Sequence, residues 1–170
     1  MRKVILFIAT SLDGYIASKD GSVDWLFTDG DYGTTAFIKT IDTILMGRKT
    51  YEQAVGFGLE YFKGKKIYVF TKSKKLKAAN GCEIINEDAI SFTKKLIRKN
   101  GKSIWLMGGS ELASTFQRAN LINEYNLFVH PIVLGDGIPL FKNLPKVSTL
   151  KFKSYKRFDS GLVRINYLKK

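Results

Sequence analysis

Two segments of the chain join glycine directly to the start of a helical pattern, and this combination suits the binding of an anion. In the first segment, Met107, Gly108 and Gly109 connect an apolar stretch to a helical pattern that starts at Ser110 and Glu111. Glycine lets the backbone approach a bulky group closely, and the free amides at a helix N-terminus can hold a phosphate. A plain strand-to-helix turn is the alternative, since the segment matches neither G-x-G-x-x-G nor a P-loop.

In the second segment, a short apolar stretch ends in Gly47, and a helical pattern begins with Arg48, Lys49 and Thr50. Cations at a helix N-terminus oppose the helix dipole, so they lower stability unless an anion lies there. Local rules of this kind are broken most often where function requires it. We therefore interpret this helix start as a phosphate site, with two solvated surface cations as the alternative.

Polar residues also follow two other apolar stretches. Thr71, Lys72 and Ser73 place two hydroxyls around a lysine, which suits a phosphate group, although a plain polar loop is the default interpretation. Asp13 and Gly14 form a turn just after the first apolar stretch. Ligands collect at the carboxyl ends of strands in open α/β sheets, so Asp13 is a candidate ligand contact, with an Asx turn as an equal alternative.

An aromatic ring and several acids lie between the first two predicted strands. Trp25 either covers a flat ring or anchors a loop. Asp29 and Asp31 suit a proton relay or a hydrogen bond to a heterocycle, but helix capping is their more common use. His130, the only histidine, lies in an apolar stretch and is expected to be packed rather than to act as a base.

The elements that must position these residues alternate along the chain. The tail alternates in polarity around Leu150, Phe152 and Tyr155, which predicts a closing β-hairpin with residues 162–168. Asp88 is expected to open a helix, and Ser110 is the expected N-cap of another. This order predicts an α/β fold of three layers, with a mostly parallel central sheet, helices on both faces and an antiparallel C-terminal strand pair. We expect strands at residues 3–10, 43–46, 66–70, 82–85, 103–107 and 125–133, and helices at residues 34–41, 48–55, 88–99 and 110–119.

Composition limits the classes of function that are open to the chain. Its 170 residues, 45% hydrophobic and 25% charged, are typical of one soluble domain. No apolar run approaches the roughly 20 residues that a membrane helix requires, and one histidine with one cysteine does not make a metal centre. The chain also lacks the G-x-S-x-G elbow of a serine hydrolase. We expect a single cytoplasmic domain with no metal and no membrane partner.

The formal net charge of +13 predicts attraction to anions, either nucleic acid or a phosphorylated small molecule. A nucleic-acid-binding module requires aromatic side chains among basic ones on an exposed sheet. Lys66–Phe70 and residues 151–156 are the two segments that fit this requirement. Because the basic residues are spread over several segments, as on an ordinary solvated surface, we expect no nucleic-acid partner.

Four motifs, in this order, make the chain resemble the dihydrofolate reductase-like superfamily. It is most similar to the C-terminal reductase domain of the bifunctional riboflavin-biosynthesis deaminase-reductase and to the stand-alone bacterial relatives of that domain. The resemblance runs over residues 3–168 and implies NADPH across the strand ends and a homodimer. The motifs are SLDGYIA at residues 11–17, MGRKTYE at 46–52, MGGS at 107–110, and PIVLGDG at 131–137 with Leu140 and Phe141.

The resemblance implies a role for each candidate residue. Ala9 and Ile16 line the nicotinamide pocket, and residues 71–73 lie near the adenosine end, where the 2′-phosphate distinguishes NADPH from NADH. Residues 47–50 hold phosphates, and residues 108–111 wrap the pyrophosphate and the nicotinamide ribose. The implied cofactor-binding residues are Ala9, Ile16, Gly47, Arg48, Lys49, Thr50, Thr71, Lys72, Ser73, Met107, Gly108, Gly109, Ser110 and Glu111.

The implied chemistry is hydride transfer to an electrophilic carbon, either of a ring C=N bond or of an opened ribosyl imine or aldehyde. The riboflavin-type branch implies a pyrimidine ribosylamine phosphate as substrate, with Asp13 facing it. A pterin is the alternative substrate, held by one acid, for which Asp31 lies at about the right position despite an unusual glycine at Gly33. Asp13, Asp31 and Trp25 are therefore the candidate catalytic residues. No zinc constellation is present, so we expect reduction without deamination.

Overall fold

The computed structural model describes residues 1–79 and 81–170. Its helices are α1 (Thr34–Lys39), α2 (Arg48–Phe57), α3 (Ala89–Leu96) and α4 (Ser110–Arg118), with a short 3-10 helix at Glu60–Phe62. Its strands are β1 (Val4–Thr10), β2 (Tyr15–Ala17), β3 (Ile41–Gly47), β4 (Lys66–Phe70), β5 (Cys82–Ile85), β6 (Ser103–Gly108), β7 (Glu124–Val129), β8 (Ile138–Pro139), β9 (Leu150–Arg157) and β10 (Val163–Lys169).

Eight of these strands form one sheet in the order β5-β4-β3-β6-β1-β7-β10-β9. The pairs from β5 to β7 are parallel, and β10 pairs antiparallel with both β7 and β9. The predicted fold class is therefore confirmed, including the antiparallel strand pair at the C-terminal end. The small sheet of β2 and β8 was not predicted, because neither strand is long enough to show an alternating pattern.

The sheet buries both of its faces, so alternate residues of each central strand belong to different cores. Leu6, Leu45 and Leu106 pack with helices α3 and α4 on one face, where Ala113 and Phe116 are fully buried. On the other face, strand residues pack with helices α1 and α2. Two buried faces explain why the strands read as continuous apolar runs in the sequence. The strand residues of this second core include Phe7, Ile44, Met46, Val69 and Trp105.

Several local expectations differ from the structure. The helix expected at residues 34–41 ends at Lys39, and Ile41 already begins β3. The strand expected at residues 125–133 ends at Val129, just before His130 and Pro131, since proline has no amide to continue a ladder. The helix expected to reach Lys99 ends at Leu96. Ser110 is the first helical residue rather than the N-cap, which is Gly109 with no side-chain hydrogen bond. Asp88, expected as the first residue of its helix, is the N-cap of α3, and its carboxylate accepts a hydrogen bond from the Ser91 amide at 2.8 Å.

One of the two segments that combine aromatic and basic side chains is an interior strand of the sheet. Lys66–Phe70 is β4, which lies between β3 and β5, and its Ile67, Val69 and Phe70 are buried. The other segment lies on the edge strand β9, where Phe152 and Tyr155 are exposed. Only one of the two segments therefore presents aromatic rings to solvent.

The indole of Trp105 ties β6 to β1 inside the second core. Its N–H donates a hydrogen bond to the Phe7 carbonyl at 2.9 Å, and its ring packs edge-on against Phe37 and Phe62. We predict that Trp105→Phe lowers the free energy of unfolding by about 1–3 kcal/mol, because the buried carbonyl loses its side-chain donor. Chemical denaturation measures the change.

Trp25 supplies a matched control for this prediction. Its indole nitrogen is also buried but has no hydrogen-bond partner among residues 1–79 and 81–170. Trp25→Phe removes the same atoms without removing a hydrogen bond, so we expect a smaller loss of stability than for Trp105→Phe. Equal losses in the two variants would show that the Trp105 hydrogen bond contributes nothing measurable.

Candidate active site

The two glycine segments meet at the carboxyl ends of β3 and β6. These strands are parallel neighbours, with Met46 opposite Gly108. A Cβ atom built on Gly47 would lie 3.8 Å from the Gly108 carbonyl oxygen and 3.8 Å from the Gly109 nitrogen. The backbones of the two turns are therefore in contact, and the two predicted anion sites form one continuous surface.

The conformation of the second turn depends on glycine. Gly108 has a φ of +115°, which side chains rarely allow, and the peptide bond between Gly108 and Gly109 is cis. A Cβ atom on Gly109 would lie 3.2 Å from the Thr50 hydroxyl oxygen and 3.9 Å from the Ile16 Cδ1. A side chain at Gly109 would thus occupy the space between α2 and β2.

Helices α2 and α4 begin directly after these turns, and their first amides are uncapped by side chains. The N-caps are Gly47 and Gly109, neither of which has a side chain to accept a hydrogen bond. The first turn of α2 holds no acidic residue, while that of α4 holds Glu111. Two helix N-termini with free amides are favourable surroundings for an anion.

A polar cavity of about 880 Å³ lies in front of these helix starts, and we call it the polar arm. Four cationic side chains line it, of which Lys19 and Lys142 were not predicted from the sequence. Three carboxylates line it as well: those of Asp20, Glu52 and Glu111. The predicted residues in its lining are Ile16, Gly47, Arg48, Lys49, Thr50, Gly109, Ser110 and Glu111.

Three of the four cations of the polar arm have an acidic partner at the surface, and Lys19 lies 3.0 Å from Asp136. Arg48 pairs with Glu52 at 2.8 Å, one helical turn away, and Lys142 lies 3.7 Å from Glu111. These pairs are solvent-exposed and therefore weak. An anionic ligand can consequently compete for the cations at little cost.

A second cavity of about 490 Å³ adjoins the first, and we call it the apolar arm. Five predicted residues line it: Ala9, Ile16, Thr50, Met107 and Gly109. No charged side chain of residues 1–79 or 81–170 lines it, and its polar side chains are those of Thr50, Gln53 and Tyr61. The apolar side chains that sequence reasoning missed are those of Ile8, Val23, Leu26, Ala54, Phe57 and Phe62.

The two arms share four lining residues and so form a single bent cleft. These residues are Ile16, Thr50, Gln53 and Gly109. Gln53 also donates a hydrogen bond from its amide to the Gly21 carbonyl at 2.7 Å, which ties α2 to the loop beyond β2. The junction therefore lies at the carboxyl edge of the sheet, where α/β folds bind ligands.

Thr71, Lys72 and Ser73 lie just outside the cleft. They follow β4, whose last residue, Phe70, lines the polar arm. The Asn86 side chain donates hydrogen bonds to the carbonyls of Thr71 and Ser73 at 2.7 and 3.2 Å. The loop is thus held beside the polar arm without lining it.

Asp13 is used to hold a neighbouring loop. Its carboxylate accepts hydrogen bonds from the Ser11 hydroxyl at 2.6 Å and from the amides of Leu134 and Gly135 at 3.2 and 2.8 Å. The bond from Ser11, followed by those from the two amides, lowers the pKa of Asp13. The structure therefore places Asp13 outside the lining of both arms, where it joins the turn after β1 to the loop at residues 131–137.

Asp31 and Asp29 likewise serve local turns. Asp31 accepts hydrogen bonds from the amides of Thr35 and Gly33 at 2.8 and 3.1 Å, and hydrogen bonding, chiefly from Thr35, lowers its pKa. Asp29 accepts a hydrogen bond from the Tyr32 hydroxyl at 2.6 Å. Both acids are exposed at the start of α1, and neither lines an arm of the cleft.

Trp25 and His130 pack against each other behind the cleft. Their rings lie 5.2 Å apart in an edge-to-face contact. His130 is buried, its Nδ1 lies 3.1 Å from the Phe128 carbonyl, and its Nε2 accepts a hydrogen bond from the Phe27 amide at 3.3 Å. Burial lowers the pKa of His130, so the ring is neutral and structural. Trp25 lies outside both linings, between Val23 and Leu26 in the loop that contributes to the apolar arm.

Two features are absent from the part of the chain that the structure describes, residues 1–79 and 81–170. Within it, no helix has the length and hydrophobicity needed to cross a membrane. No group of three or more potential metal ligands occurs among the same residues.

Comparison with known proteins gives relatives that cover almost the whole chain. YwjB of Bacillus subtilis (strain 168) is 40% identical over 172 residues, which cover 99% of this chain and 98% of that protein. The crystal structure of a putative riboflavin biosynthesis protein from Shewanella sp. PV-4 is 26% identical, with a TM-score of 0.86 and 99% coverage of both chains. The similarity to these proteins therefore extends over the full fold.

A more distant structure shares the fold alone. Dihydrofolate reductase from Enterococcus faecalis, complexed with NADP(H) and RAB-propyl, superimposes with a TM-score of 0.74 at 16% identity. The alignment covers 99% of this chain and 96% of that enzyme. This likeness confirms the dihydrofolate reductase-like architecture that the sequence motifs indicated.

The family model of the RibD C-terminal domain matches residues 2–55 and 62–164. The matched ranges include both glycine turns and the starts of α2 and α4. The resemblance inferred from the motifs is thereby confirmed, and the chain belongs to the RibD C-terminal domain family, whose reductase character makes it an oxidoreductase.

Proposed function

We propose that this chain is an NADPH-dependent reductase that acts on a small heterocyclic substrate. The observation that carries the proposal is the bent cleft at the carboxyl edge of the sheet. One arm offers cations and free helix amides to phosphates, and the other offers an apolar surface to a flat ring. A dinucleotide that carries a reactive nicotinamide matches both arms at once.

The chain's residues fit this cofactor in three ways. The uncapped starts of α2 and α4, with Arg48 and Lys49, suit its phosphates. A side chain at Gly109 would contact Thr50 and Ile16 and narrow the junction, so the glycine keeps the backbone there open to the cofactor. Ala9, Ile16 and Met107 then present an apolar wall to the nicotinamide ring. We assign Thr71, Lys72 and Ser73 to the adenosine end, next to the polar arm.

When bound, NADPH supplies a hydride to the carbon of a C=N or C=O bond and becomes NADP⁺. The protein's contribution is to position the two partners and to control water. The reduced nitrogen or oxygen must also receive a proton, and no carboxylic acid lines the apolar arm among the described residues. We therefore propose that water supplies this proton. We also propose that Asp13, Asp31 and Trp25, the candidate catalytic residues from the sequence, hold the surrounding loops in place and do not contact the reacting atoms.

For the substrate we propose a pyrimidine ribosylamine, the class that the sequence resemblance implies in phosphorylated form. A pterin is less favoured, because the acid that would hold it, Asp31, caps the start of α1 and does not line the apolar arm. The homodimer also stays a prediction from the resemblance. The outer edge of β9, which exposes Phe152 and Tyr155, is suited to such an interface.

We predict that the protein binds NADPH and binds NADH more weakly. Binding raises the melting temperature by mass action, so a thermal shift detects it, as does nicotinamide fluorescence. The preference follows from the additional phosphate of NADPH and the cations around the polar arm. Absence of any response to NADPH up to millimolar concentration would contradict the reductase proposal.

Arg48→Ala is predicted to weaken NADPH binding by about tenfold, the effect of losing roughly 1.4 kcal/mol of charge-assisted contact. Arg98→Ala is the matched control, since Arg98 is exposed and lines neither arm, so it removes the same charge elsewhere. Fluorescence titration measures both dissociation constants. An equal loss in the two variants would show that only net charge matters. An equal loss for NADPH and NADH would place Arg48 away from the 2′-phosphate.

Asp31→Asn is predicted to keep at least about half of the wild-type kcat, because the carboxylate does not reach the apolar arm and asparagine can still cap α1. The lowered pKa of Asp31 keeps it ionised at neutral pH, which makes it a poor proton donor. Steady-state oxidation of NADPH with the pyrimidine ribosylamine measures the rate. A loss of about a hundredfold, typical of a missing general acid, would instead make Asp31 catalytic.

A further inference from the structure

We propose that the apolar arm selects a substrate whose entering part is an uncharged planar ring, and that it rejects the phosphorylated form of that substrate. The inference rests on the proposed reductase function and narrows its substrate class. It departs from the phosphorylated pyrimidine that the sequence resemblance implies. Its basis is that charged side chains line the polar arm, whereas none of the described residues that line the apolar arm is charged.

The first observation is the absence of a partner for a phosphate. The only polar side chains that line the apolar arm are those of Thr50, Gln53 and Tyr61, within residues 1–79 and 81–170. The Gln53 amide already donates to the Gly21 carbonyl. A phosphate that enters this arm would lose its hydration without gaining a cation, and burying an unpaired charge is costly.

The second observation is the position of the nearby cations. Lys19, Arg48, Lys49 and Lys142 all line the polar arm. The Lys65 ammonium donates to the carbonyls of Ile38 and Ile41 at 2.8 and 2.9 Å, at the amino end of β3, so it is engaged in the fold away from the cleft. Lys63 and Lys66 are the exposed cations of that segment, and Lys63 is next to Phe62 in the sequence. A phosphate on the substrate would therefore be drawn to the cofactor's side of the cleft.

The third observation is the chemistry of the mouth itself. Phe57 and Tyr61 line the apolar arm, yet their side chains are 79% and 54% exposed. Large aromatic side chains that are open to water beside a cavity are available to contact an apolar ligand. Together with Phe62, they offer ring faces and edges to a flat molecule. Shape and stacking, rather than charge, then determine what reaches the junction.

The test measures binding to the NADP⁺-loaded protein, so it does not depend on turnover. The probes are the pyrimidine ribosylamine with and without its terminal phosphate, titrated by calorimetry. We expect the unphosphorylated probe to bind at least about tenfold more tightly, a difference of roughly 1.4 kcal/mol. Equal affinity, or tighter binding of the phosphorylated probe, would overturn the inference. So would failure of both probes to bind.

Two charge-insertion variants make the test specific to the cavity. Phe57→Lys places a cation at the mouth of the apolar arm and should improve binding of the phosphorylated probe by about tenfold. Val55→Lys adds the same charge to the exposed surface of the same helix, outside both linings, and should change little. Similar gains in the two variants would overturn the inference, because the effect would then be one of net charge.

The phosphorylated probe could also reach the exposed Lys63, and Lys63→Ala examines this route. If wild-type protein prefers the phosphorylated probe and Lys63→Ala removes the preference, the apolar arm has a phosphate partner and the inference is wrong. This result leaves the reductase proposal intact, because NADPH still binds. Failure of NADPH to bind at all overturns the reductase proposal first, and the inference falls with it.

Discussion

The close approach of two backbone turns is the constraint on which the rest of the site depends. Gly47 ends β3 and Gly108 ends β6, and the turn after β6 lies against the turn after β3 with no side chain between them. The space at Gly109 is bounded by Thr50 and Ile16 and would be filled by a single methyl group. Both arms of the cleft open from this point, so a bulkier residue here would divide them.

The sheet enforces this contact because β3 and β6 are parallel neighbours buried on both faces. Met46 and Tyr51 belong to one core, and Leu106 and Phe116 belong to the other. Helix α2 therefore leaves on one face and α4 on the opposite face, while both begin at the same edge. Their N-termini consequently flank one crevice, the geometry in which open α/β sheets bind ligands. The topology alone therefore places two helix N-termini, with their dipoles and free amides, at the same crevice.

The polar arm could be predicted from the sequence because its signals are local. Gly47 is followed by Arg48 and Lys49 at a helix start, where the helix dipole disfavours cations, so the signal lies within a few neighbouring residues. The apolar arm could not, since Leu26, Phe57 and Tyr61 come from separate segments and each resembles ordinary core or surface alone. For Asp13 and Asp31, the sequence suggested a ligand contact, whereas the structure shows hydrogen bonds to nearby backbone amides. A short polar side chain beside a turn satisfies nearby amides before it can reach a ligand, and a single sequence does not distinguish the two uses.

Charged side chains line the polar arm but, among the described residues, not the apolar arm, and this difference bears on how the proposed hydride transfer would be controlled. An apolar cavity without ionisable groups lowers the local polarity around the reacting carbon and strengthens the electrostatic effect of whatever dipoles surround it. Such a cavity cannot anchor a substrate by ion pairs, so affinity must come from buried ring area and from the cofactor's own ring surface. In the proposed complex, the phosphates of the cofactor would meet cations in the polar arm, where Lys19, Arg48, Lys49 and Lys142 lie. The proposed cofactor and substrate would thus be recognised by different physical means on the two sides of a junction formed by four shared lining residues.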